Sequence, residues 1–151
     1  AAEDLTAAAA GLTPGELWTS PGGAASVGFH LRHIAGSIDR LLTYARDESL
    51  SQAQLAAIAG EQDAGANPAD AATLASDAVA AIHRAIEFMR HMPPERYFDP
   101  RGVGRRKLPT NVLGLLVHTA EHTQRHVGAI IATAKVVRAR GERGHASREP
   151  G

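Results

Sequence analysis

The chain has 151 residues, no cysteine, and a formal net charge of zero from 16 basic and 16 acidic side chains. Charge balance removes the electrostatic case for nucleic acid or an anionic membrane surface as a partner. Without cysteine there is no disulfide, no thiolate-bound zinc and no Cys nucleophile, so metal chemistry would fall to His and carboxylate. No apolar run approaches the roughly 20 residues needed to span a bilayer, and no signal peptide is visible. A single-domain cytoplasmic protein is the expectation.

In chain order, "AAEDLTAAAAGL" is a helix former ending near Gly11. It reads as the tail of a longer first helix, and the lack of an initiator Met points to missing N-terminal residues. "TPGELWTSPGGAAS" is a Pro/Gly-rich connection. Ser26 can cap a helix running from Val27 to about Arg46, on which Val27, Leu31, Ile34, Ile38, Leu41, Leu42 and Ala45 form an apolar arc. A short helix is expected around Gln52 to Ala59. Asp70 opens another helix, with Leu74, Ala78, Ile82, Ile86 and Met89 on one face, stopped by Pro93 and Pro94.

"RYFDPRGVGRRKLPT" is irregular and offers turn glycines between β-compatible pieces, the pattern of a small ribbon. Its Arg105, Arg106 and Lys107 read as a solvated basic loop. Thr110 is the expected cap of the last helix, which runs to about Arg138 and is apolar almost all round. Such a helix is central or shared with a partner subunit. Residues 139–151 are polar and Gly-rich and read as a loose tail. The whole is an all-α bundle occupying residues 1–138.

The chemistry sits in the histidines. "HTAEHTQRH" places His118, His122 and His126 at four-residue intervals, and His30 and His33 lie three apart on the helix from Val27. A helix advances about 100° per residue, so positions three or four apart share a face and two imidazoles can reach one ion. Two ligands from one helix and one from a neighbour leave a fourth position for water or substrate, the layout of a catalytic site. Spacing alone does not choose between 118/122 and 122/126, nor between His30 and His33. His83, His91 and His145 read as solvated.

The pair of stretches "SVGFHLRHIAGSIDRLLTYA" and "LLVHTAEHTQRHVGAI" resembles the DinB/YfiT-like superfamily. The resemblance implies a four-helix bundle with an early His on the second helix and His-x-x-x-His followed by Val/Ile-Gly on the last. Matched here, those positions are His33, His122 and His126, as ligands of a divalent transition metal: Zn, Ni or Fe. Ala129 stands where the family often carries Gln, so a polar contact from that side chain is missing. His30, Tyr44, His118, Glu121 and Arg125 are the neighbours expected to touch ligand imidazoles or substrate. No residue is assigned as catalytic.

What the resemblance implies about activity is a thiol-dependent transferase, since the superfamily includes S-transferases and a mycothiol-dependent maleylpyruvate isomerase. A low-molecular-weight thiol would then be the co-substrate, beside a small molecule of unknown identity. A metal-dependent hydrolase is the near variant. The competing reading is a non-catalytic metal-binding homodimer of a stress response, in keeping with the family's damage-inducible name.

Overall fold

The computed structural model describes residues 1–66 and 68–146, the last five of these by their backbone alone. Besides two 3-10 turns (Pro21–Gly23 and Pro94–Arg96), its elements are six α-helices and one short hairpin: α1 (Ala2–Ala9), α2 (Pro14–Trp18), α3 (Val27–Ala45), α4 (Gln52–Gly60), α5 (Ala71–His91), β1 (Pro100–Val103), β2 (Leu108–Asn111) and α6 (Val112–Ala146). The fold is all-α. Side chains start most of the helices. Ser26 Oγ accepts from the Phe29 amide at 3.1 Å, and Asp70 Oδ1 accepts from the Thr73 amide at 2.7 Å. Reciprocal capping boxes join Thr13 to Glu16 and Ser51 to Gln54.

Four helices form the bundle. α3 packs against α5 and α6, and α1 packs against the same two. The core they enclose includes Leu5, Val27, Leu31, Ile34, Ile38, Val112, Val127 and Ile130, all essentially without solvent exposure. The apolar arc on α3 is thus its inner face. On α5 only the first half of the expected stripe is covered. Leu74 and Ala78 are buried, but Met89 is 44% exposed, and Ile82, Ile86 and Met89 border an apolar groove of about 250 Å³.

Two details differ from the sequence expectation. Thr110 lies in β2, and the cap of α6 is Asn111, whose Oδ1 accepts from the Gly114 amide at 2.8 Å. α6 also continues past Arg138 to Ala146. Arg, Ala and Glu favour helix there, and an interior Gly costs only about 1 kcal/mol. Packing supplies the rest: Val137 is buried, and Arg138 donates to the carbonyls of Ala8 and Ala10 at 2.9 and 2.7 Å. Residues 147–151 of the expected tail lie outside the described residues.

The ribbon is an antiparallel hairpin in which Arg101 faces Thr110. Buried Arg101 fastens it to the end of α3 by donating from Nε to the Ala45 carbonyl at 2.8 Å. The basic trio Arg105, Arg106 and Lys107 is exposed at its turn. Among the described residues no helix is long and apolar enough to cross a membrane.

Candidate metal centre

α3 and α6 lie side by side, which sets the face of α3 carrying His33 against the face of α6 carrying His122 and His126. One ring nitrogen from each of these three histidines lies within 4.8 Å of the other two, a group that could hold a metal ion. His33 Nε2 and His122 Nε2 are 2.8 Å apart. The His126 ring centroid is 4.5 Å from each of the other two. Around a tetrahedral zinc with Zn–N near 2.1 Å, ligand nitrogens stand about 3.4 Å apart. The three imidazoles are therefore at a spacing that small rotamer adjustments bring to ligation, and neutral imidazole suits a borderline divalent ion.

Electrostatics favour the neutral rings. Burial, then the charges of His33, His122, His30 and Arg125, lowers His126 from 6.5 to about 4. Burial and the neighbouring His33, His118, Arg125 and Arg40 charges also lower His122. At neutral pH both rings keep their lone pairs, so cation binding need not displace a proton from either. All three rings are only partly covered, and His33 keeps 20% of its side-chain surface exposed.

The other expected neighbours divide. His30 is buried, with Nδ1 2.8 Å from Nδ1 of His126, so it touches the cluster without joining it. Burial and the His33 charge lower its pKa. His118 is exposed and its ring stacks on His122 at 5.5 Å. Glu121 and Arg125 are exposed and border a shallow depression. Tyr44 is elsewhere: it lines a cavity of about 330 Å³ with Asp47 and Lys107, beside the hairpin. Phe29, not singled out from the sequence, stacks on His33 with centroids 5.2 Å apart and planes 18° apart.

Sequence reasoning also missed Glu61. It follows α4, is 7% exposed, and places Oε2 2.7 Å from His33 Nδ1. Its other oxygen accepts from Arg40 Nη1 at 2.7 Å. Burial alone would raise the Glu61 pKa, but hydrogen bonds from His33 and Arg40, with their charges, lower it overall. Arg40 lies two turns beyond His33 on α3 and so shares its face, where a cation suits a carboxylate partner. Nothing in the local pattern says which acidic residue would arrive.

No curated protein matches the chain. The family model of the DinB superfamily matches residues 1–130, over elements that include both histidine-bearing helices. A three-histidine cluster in such a bundle is compatible with metal binding. The chain belongs to the DinB superfamily.

Proposed function

We propose that His33, His122 and His126 hold one divalent transition metal, Zn, Ni or Fe, in a site that serves a thiol-dependent transferase acting on a small molecule. The observation that carries this reading is the convergence of three ring nitrogens within 4.8 Å from two helices. Three neutral nitrogens on one side of an ion leave a coordination position toward solvent. The cation, when bound, supplies positive charge that lowers the pKa of a thiol brought to it.

The chain's own residues do the rest. His30 and Glu61 meet the outer nitrogens of His126 and His33 and restrain both rings. Phe29 forms an aromatic wall against His33 and limits water on that side. With no cysteine in the chain, the thiol must come from solution.

The test is elemental analysis of untagged protein beside a variant with all three histidines changed to Ala. About one mole of transition metal per chain, absent from the variant, is the expected result. Each metal-loaded form is then assayed with a low-molecular-weight thiol and an electrophile. Absence of metal in the wild type after reconstitution overturns the reading. Stoichiometric metal without thiol consumption removes the transferase and leaves a metal-binding bundle.

A further inference from the structure

α4 is held to the bundle in an unusual way. None of its residues is buried, although Leu55, Ile58 and several alanines populate it. Cavities of about 210 and 230 Å³, both bordered by Gly36 and Ala57, separate it from α3. Polar contacts do the fastening. Gln54 Nε2 donates to Asp39 Oδ2 at 2.7 Å and to Thr43 Oγ1 at 2.8 Å. Arg32, stacked 4.6 Å over Trp18, donates to the carbonyls of Gly60 (3.2 Å) and Asp63 just beyond the helix.

Between these fastenings the chain buries a carboxylate. Burying a charge is costly unless it is paired and hydrogen-bonded, and both oxygens of Glu61 are used, one by His33 and one by Arg40. The approach is made across Gly36. A Cβ at that position would lie 2.8 Å from both Arg40 Nη1 and Glu61 Oε1. A methyl there would force the Arg40 guanidinium or the Glu61 carboxylate to move and so disturb the pair that meets His33.

We propose that α4 is a latch over the three-histidine cluster and that Glu61 is its positioning residue, reaching His33 through the gap left by Gly36. This rests on the metal reading of the cluster. By accepting the Nδ1–H of His33, Glu61 holds the tautomer whose Nε2 lone pair faces His122 and His126. A cation on Nε2 makes Nδ1–H a stronger donor, so loading the site tightens the bond to Glu61 and with it the docking of α4. The coupling is reciprocal: docking of α4 strengthens metal binding by the factor by which metal strengthens docking.

The experiment measures zinc affinity by chelator competition for the wild type, E61A, E61Q, G36A and the E61A/G36A double variant. Amide hydrogen exchange across residues 52–61 is followed with and without zinc. The expected losses for E61A and G36A are each about 10- to 100-fold. The double variant should bind no more weakly than E61A, because both changes break one contact. E61Q, isosteric and still able to accept from Nδ1–H, should fall between wild type and E61A. Zinc should slow exchange in α4 of the wild type but not of E61A. Zinc bound by E61A or E61Q as tightly as by wild type, losses that add in the double variant, or zinc-independent exchange would overturn the latch and leave the three-histidine site standing. Failure of the wild type to take up zinc would overturn both.

Discussion

His30 Nδ1 lies 2.8 Å from His126 Nδ1, joining α3 to α6 by two histidines 96 positions apart in the chain. In the neutral pair one nitrogen donates and the other accepts. With His126 as donor its Nε2 is a bare lone pair, the form a metal requires. His30→Phe keeps an aromatic ring, somewhat larger, but removes the acceptor. It should weaken zinc binding about 10-fold while leaving one site per chain, whereas His118→Ala should change affinity little. Chelator-competition titrations compare them; equal affinity in His30→Phe and wild type would remove this role.

The lowered pKa of His126, about 4 against 6.5, sets a pH window for the metal-free protein. A folded-state pKa below the unfolded one means the fold favours the neutral ring. That contribution is complete above about pH 6.5 and is lost progressively as pH falls toward 4, because the unfolded chain takes up the proton first. His122 and His30, lowered in the same direction, steepen the trend. Thermal melts of apo protein between pH 7.5 and 4 should show a falling Tm, less steep in His126→Gln. A flat profile in the wild type would contradict the shift.

Trp18 packs flat against the start of α3, where Gly28 leaves room for it. A Cβ on Gly28 would come within 2.8–2.9 Å of three ring atoms of Trp18. Neither the indole nor the helix backbone can yield cheaply, so Gly28→Ala should cost about 1–3 kcal/mol despite the better helix propensity of Ala. Urea unfolding at fixed pH measures the loss. A gain in stability would show that the indole has another place to go.

The start of α6 separates two substitutions that look alike in sequence. Asn111→Ala removes the acceptor for the Gly114 amide and should cost about 1 kcal/mol. Thr110→Ala touches no cap and should stay within about 0.5 kcal/mol. Denaturant midpoints of the two variants decide it; the reverse order would return the cap to Thr110.

Helix periodicity is a local property, and so the elements were legible. The apolar arc of α3 and the Ser26 and Asp70 caps follow from residues within one or two turns of each other. The overlong α6 was not, because Gly141 and its neighbours argue for an end that contacts with α1 and α2 override.

At the candidate site the chain itself determined the supply of imidazoles: two on one helix, three on another, at spacings that share a face, with no cysteine to compete. Only the tertiary structure decided which of them converge, since that depends on the rotation and register of α3 against α6 rather than on either helix alone. It likewise decided that Glu61, 28 residues beyond His33, would be the carboxylate at its Nδ1. No local pattern selects one acid among several. The choice follows from where α4 ends and from the absence of a side chain on Gly36.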